Sequence, residues 1–152
     1  MTICFDTSVL VAGVVAAHPM HERAFCWLEA VSKRKVDGIM ACHAMAELWS
    51  VLTRLPLASP LSGAMAEEAV KRVGRVIRPL AVTPTHYASA IRRCAERGQR
   101  SGSVFDALHL VIAETKRCEA LITFNPSDFQ RLAGPDGPRI VVPPDPPDVR
   151  LP

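Results

Sequence analysis

At 152 residues, 49% hydrophobic and 22% charged, the chain has the length of one folded domain and enough apolar material for a sizeable core. No apolar run approaches the length of a membrane span, and no basic segment followed by an apolar stretch and a cleavage site opens the chain, so a cytoplasmic location is expected. The net charge of +3 permits a nucleic-acid partner without requiring one, and the five scattered cysteines, with no C-x-x-C pair, read as reduced, mostly buried thiols and not as a zinc or disulfide framework.

Thr2 to Phe5 is short and apolar, as a buried strand is. Small and apolar residues from Ser8 to Ala17 predict a buried helix, interrupted by His18-Pro19. In "MHERAFCWLEAVSKR", Ala24, Trp27, Leu28 and Val31 recur at helical spacing. Gly38 is expected to break the chain before a second strand, "IMAC". The stripe Ala44, Leu48, Val51, Leu52 and Leu55 predicts a helix that Pro56 and Pro60 end, with Trp27 and Trp49 both assigned to the core. "SGAMAEEAVKRVGRVI" gives the next helix and "RPLAVT" a third strand. Thr83-Pro84 opens a helix that Gly98 stops. After the polar "QRSGS" come the helix "VFDALHLVIAETKRC", a fourth strand at Ala120 to Thr123, a helical turn "PSDFQRL" and a last strand "RIVV". Strands alternating with helices imply an α/β layered fold with a largely parallel sheet over residues 1–142, followed by a proline-rich extended tail at 143–152.

In open parallel sheets, ligands gather outside the carboxyl ends of the strands, where the strand order reverses. Asp6 and Asn125 each follow a predicted strand, and Glu47 and Asp106 lie near the starts of helices entering from that edge, so the four are expected to converge. Two carboxylates about 4 Å apart repel by roughly 4 kcal/mol at an effective dielectric near 20, which a counter-charge or a retained proton must relieve. An oxygen-rich acidic cluster suits a hard cation such as Mg²⁺ or Mn²⁺, which can bind a phosphodiester oxygen and activate a water for in-line attack.

Each residue also has a local reading. Asp6-Thr7-Ser8 can be a helix N-cap, Ser103 and Asp106 have the spacing of a capping box, and Glu47 can be a first-turn acid favoured by the helix dipole. Asn125-Pro126-Ser127 can be turn chemistry, with Asp128 capping the turn after it. His18 and His21 have H-x-x-H spacing but no evident third ligand, and His109, one turn past Asp106, reads as a packed histidine able to approach the site. The arginines Arg92, Arg93, Arg97 and Arg100 form one of several basic clusters, each a solvated helix face by itself and together able to track phosphates.

The segments "ICFDTSVLVA", "AELWSVLTRL", "SVFDALHLVIAE" and "LITFNPSDF" resemble the four ordered motifs of PIN-domain ribonucleases of the VapC toxin type, over nearly the whole chain. The resemblance implies a three-layer α/β/α fold with a five-stranded parallel sheet ordered 3-2-1-4-5 and a Mg²⁺-dependent endoribonuclease, with Mn²⁺ as substitute, leaving 5′-phosphate and 3′-hydroxyl ends. It implies Asp6 and Asp106 as the metal-linked acids, Glu47 as the second catalytic acid and Ser8 as support for the first. It further implies an RNA substrate guided by the four arginines, a VapB-type antitoxin partner and a homodimer. The fourth motif departs: Asn125 stands where many members carry an acid, and Asp128 matches the acid before the phenylalanine. Asn125 is expected to face the metal site and Asp128 to brace the turn. A non-catalytic PIN-like module that binds RNA or protein is the alternative that Asn125 keeps open.

Overall fold

The structure is a computed structural model, and residues 1–144 are described; the proline-rich tail assigned from the sequence lies almost wholly outside them. Five strands form one parallel sheet: β1 (Thr2–Phe5), β2 (Asp37–Ala41), β3 (Arg78–Leu80), β4 (Ala120–Ile122) and β5 (Arg139–Val141), in the order β3-β2-β1-β4-β5. Seven helices connect and cover them: α1 (Thr7–Val14), α2 (His21–Ser32), α3 (His43–Leu52), α4 (Gly63–Val76), α5 (Pro84–Glu96), α6 (Ser103–Thr115) and α7 (Pro126–Leu132).

The central strands are apolar on both faces because both faces are covered. Ile3 and Phe5 of β1, Met40 of β2 and Ile122 of β4 pack with α1 to α4. Cys4, Ile39, Ala41 and Leu121, one residue out of phase, pack with α5, α6 and α7. The period-two alternation of strands thus divides one apolar run between two cores. This is the expected three-layer arrangement and strand order.

β1 pairs with β2 on one side and β4 on the other, with Phe5 opposite Ile122. The chain leaves the middle of the sheet in opposite directions at this point, so the ends of β1 and β4 flank the crevice. The backbone amide of Asp6 donates to the Ile122 carbonyl at 3.0 Å, which extends the ladder to the first polar residue after the strand.

Some local expectations need correction. Gly38 does not break the chain; it lies inside β2, opposite Ile3. The first helix ends at Val14, short of Ala17, because His18 and His21 fold back and the His21 ring takes a late helix carbonyl, Ala12 O, at 2.9 Å. An apolar run carries no mark of that stop. Trp27 is fully buried, but Trp49 is 45% exposed, its indole N–H donating to Gly63 O to join α3 to α4. Thr83 caps α5 as expected, in a capping box with His86, and Gly98 takes the left-handed φ of +63° that ends the helix. All five cysteines are free.

A Cβ at Gly38 would sit 2.8 Å from Val31 Cγ2 and 2.9 Å from Ile77 Cδ1. Ile77 can swing away, but Val31 is β-branched within a helix and has one favoured rotamer. Gly38→Ala is therefore expected to destabilise the domain by about 1–3 kcal/mol, read from the urea midpoint at unchanged m-value.

Candidate active site at the carboxyl edge of the sheet

Asp6 occupies the N-cap position of α1 but makes no side-chain cap hydrogen bond. Its carboxylate is instead held from both central strands. Ser8 Oγ donates to Asp6 Oδ2 at 2.5 Å, and Thr123 Oγ1, at the end of β4, donates to the same oxygen at 2.7 Å. The β4–α7 turn is tied to these hydroxyls in turn: Phe124 N donates to Ser8 Oγ and Asn125 N to Thr123 Oγ1. The motif after β1 and the motif after β4 are thus one hydrogen-bonded unit. With Oδ2 doubly engaged, Oδ1 faces His109 Nε2 at 3.8 Å.

Glu47 reaches the same place from α3, on the opposite helical layer from α6. Thr7 Oγ1 donates to Glu47 Oε2 at 2.7 Å, and His109 Nε2 lies 3.9 Å from that oxygen. Burial works against the charge of Glu47, but His109 and the Thr7 hydroxyl outweigh it and hold the carboxyl below its usual range. Asp106 lies in the first turn of α6. The capping-box alternative does not apply, since Gly102 is the N-cap, Ser103 is already helical, and no side-chain cap bond forms. Burial, followed by the charge of Asp6, pushes Asp106 up to about 7.

The counter-charge that so many acids require is a histidine. His109 is 1% exposed, and although burial alone would lower its pKa, Glu47, Asp6 and Asp106 together raise it. His43, one turn before Glu47, completes the floor, with its ring centroid 4.5 Å from that of His109 and 6.1 Å from Phe105. Burial and the neighbouring His109 push His43 down to about 4. His109 was visible in the sequence as one turn from Asp106 but read as packing; His43 carried a signal too, the i,i+4 spacing to Glu47. The H-x-x-H pair does not gather: His18 Nδ1 accepts from Met20 N, while the His21 ring meets Ala12 O.

Among the remaining expected residues, Asn125 is exposed at the N-cap position of α7 and makes no side-chain cap bond. Asp128 pairs with Arg131 at 3.3 Å along α7, and its charge also contributes to the upward push on Asp106. Arg93 forms a fork with Glu114 at 2.8 and 2.6 Å, clamping α5 to α6. Arg92, Arg97 and Arg100 are exposed.

A five-stranded 3-2-1-4-5 parallel sheet with carboxylates meeting where β1 and β4 end defines an α/β protein of the PIN class. The PIN domain family model matches residues 3–135. The chain is 30% identical over 117 residues to ribonuclease VapC27 of Mycobacterium tuberculosis, spanning 77% of this chain and 80% of that protein. The chain belongs to the PIN-domain family. Its fold is shared with VapBC2 from Rickettsia felis, solved bound to a DNA fragment from their promoter, at a TM-score of 0.68 and 16% identity over 93% of this chain and 98% of that one. It is shared also with M. tuberculosis VapC20, a sarcin-ricin loop cleaving toxin, at a TM-score of 0.61 and 23% identity over 78% and 86%.

The raised pKa values of Asp106 and His109 fix a sign for stability. Between the usual carboxylate range and about 7 the folded protein binds a proton at Asp106 that the unfolded chain releases, so this contribution is present at low pH and lost as pH rises through 7. The raised His109 acts in the same direction. The protein is expected to lose stability between about pH 4 and 7, and Asp106→Asn to flatten that slope, as read from urea midpoints across the range.

Proposed function

We propose that this chain is a metal-dependent endoribonuclease that hydrolyses RNA phosphodiester bonds and acts as the toxin of a toxin–antitoxin pair. The observation that carries this reading is the approach of Asp6 and Glu47 to one buried imidazole, with Asp106 one turn before it on the same helix and within the field of both acids, in a chain of the PIN family related to a VapC ribonuclease. The donor set fits a hard divalent cation, Mg²⁺ with Mn²⁺ as substitute: it is made of carboxylate oxygens, and burial together with the charge of Asp6 holds Asp106 up to about 7, a bias that a bound cation would relieve.

Asp6 and Asp106 would hold the ion, which when bound supplies Lewis acidity toward a phosphodiester oxygen and an attacking water. Ser8 and Thr123 orient Asp6, leaving Oδ1 for the site. Glu47, kept ionised by Thr7 and His109, is the acid placed to accept a proton from the attacking water. Asp128 lends its charge to the same field, and Asn125 offers an amide at the rim without adding charge. Of the four arginines, Arg93 is engaged by Glu114, whereas Arg92, Arg97 and Arg100 present their guanidinium groups along α5 and the turn into α6, the helix that carries Asp106. These three are assigned to the RNA backbone.

A VapB-type antitoxin and a second copy of the chain are the expected protein partners. Of the helix pair around Trp27 and Trp49, Trp27 is buried, and the exposed apolar side chains open to them include Trp49 on α3, Phe25 on α2 and the cluster Tyr87, Ile91 and Phe105 between α5 and α6.

Asp6→Asn is expected to abolish cleavage of total RNA while leaving the circular dichroism spectrum intact, and EDTA to stop the wild-type reaction until Mn²⁺ or Mg²⁺ is returned. Cleavage undiminished by that substitution sinks the assignment, and RNA binding without cleavage under any divalent ion favours the non-catalytic module. Asp128→Asn is expected to slow cleavage about tenfold, near 1.4 kcal/mol of barrier, with Asn125→Ala the milder change. The reverse ranking would favour the arrangement expected from the sequence, with Asn125 facing the metal site and Asp128 bracing the turn.

A further inference from the structure

Two buried imidazoles approach one another across the sheet edge, with the nearest carboxylate oxygens at 3.5–3.9 Å, longer than ordinary hydrogen bonds. Neither ring nitrogen of His43 or of His109 has a hydrogen-bond partner among the described residues, and Glu47 Oε1 has none either. The His109 side chain is 1% exposed and that of His43 is 9% exposed. Leaving such groups unpaired costs about 1–3 kcal/mol each, so a fold that gathers three of them needs a further partner for them.

Their placement is that of ligands. His43 Nε2 and Glu47 Oε1 are 3.5 Å apart, and one donor atom from each of His43, Glu47 and His109 lies within 4.8 Å of the others. A tetrahedral ion bound at about 2.0–2.1 Å separates its ligand atoms by about 3.4 Å, so one pair is already at the required spacing and small side-chain rotations bring in the third. Two imidazoles and a carboxylate form a softer donor set than the carboxylates of Asp6 and Asp106. Imidazole favours Zn²⁺, Co²⁺ and their neighbours, whereas Mg²⁺ takes oxygen.

We infer that His43, Glu47 and His109 form a binding site for a borderline first-row divalent ion of the Zn²⁺ class, distinct from the all-oxygen position at Asp6 and Asp106. The site is composed of residues from both helical layers: α3 supplies His43 and Glu47 from one side and α6 supplies His109 from the other. An ion there takes the place of the His109 proton as the positive charge among the acids, and it stands beside Asp6, whose Oδ1 is 3.8 Å from His109 Nε2.

The test uses the full chain, purified metal-free, with Co²⁺, Zn²⁺ and Mg²⁺ as probes. Co²⁺ is expected to bind at one equivalent with the visible absorption of a nitrogen-ligated ion, to be displaced by Zn²⁺, and to remain in excess Mg²⁺. On Zn²⁺ addition, the side-chain nitrogen resonances of His43 and His109 should shift while those of His18, His21 and His86 stay. His43→Ala should weaken Zn²⁺ binding at least about tenfold with an unchanged circular dichroism spectrum. His109 is buried deeply enough that truncating it can unfold the chain, so the wild-type resonances carry that half of the test. Unchanged Zn²⁺ affinity in His43→Ala, Zn²⁺ shifts confined to the other histidines, or displacement of Co²⁺ by Mg²⁺ at comparable concentration would each overturn the site. None of these readouts is RNA cleavage. A chain that binds Co²⁺ in this way but cleaves no RNA with Mg²⁺ or Mn²⁺ loses the nuclease reading and keeps this one; a nuclease whose imidazoles ignore Zn²⁺ does the opposite.

Discussion

The structure at the sheet edge depends on a buried imidazole set between carboxylates. Asp6 Oδ1 and Glu47 Oε2 lie 3.8 and 3.9 Å from His109 Nε2, and Asp106 adds a third negative group to the same field. A buried ion pair gains little net stability, since desolvation consumes most of the attraction, but removing the positive member leaves the acids uncompensated. His109 therefore makes a three-acid site compatible with folding. It does not neutralise the site completely: burial and the charge of Asp6 still push Asp106 up to about 7.

Orientation of Asp6 comes from a separate device. Thr123 and Ser8 both donate to Oδ2, and each of these hydroxyls also receives a backbone amide from the β4–α7 turn. Hydrogen bonds to a charged acceptor contribute about 1.5–3 kcal/mol each, so the carboxylate pins the turn as firmly as the turn pins the carboxylate. This reciprocity explains why a residue at an N-cap position does no capping. Asp6 exchanges the amides of α1 for contacts that join the first and fourth motifs across the centre of the sheet.

Much of this was legible in the sequence, and the gaps have physical causes. Period-two and period-3.6 patterns located the helices and strands, and alternation of buried strands with helices implied the parallel sheet. Asp6 could be placed because α1 begins where β1 ends; Asp106 lies on α6, which follows α5 and not a strand, and that rule does not reach it. Gly38 was misread because a glycine in a strand and a glycine ending one look alike until the close approach of Val31 and Ile77 is known. Trp49 was assigned to the core from its stripe, yet its indole N–H has its partner at the surface, on Gly63. His43 and His109 are 66 positions apart, on helices of opposite layers, and no one-dimensional spacing reports their 4.5 Å approach.

The same balance of charge bears on the fourth motif. Asp106 is already raised to about 7 by burial and by Asp6, with smaller contributions from Asp128 and Glu47. Another carboxylate at position 125 would add to that push and favour the protonated form of Asp106 near neutral pH. An amide at that position leaves Asp106 closer to ionised, at the cost of some attraction for the ion. Asn125 and His109 thus act in the same sense, one withholding a negative charge and the other supplying a positive one. In a site this crowded, an amide in place of an acid lowers the negative charge while leaving Asp6, Glu47 and Asp106 in place.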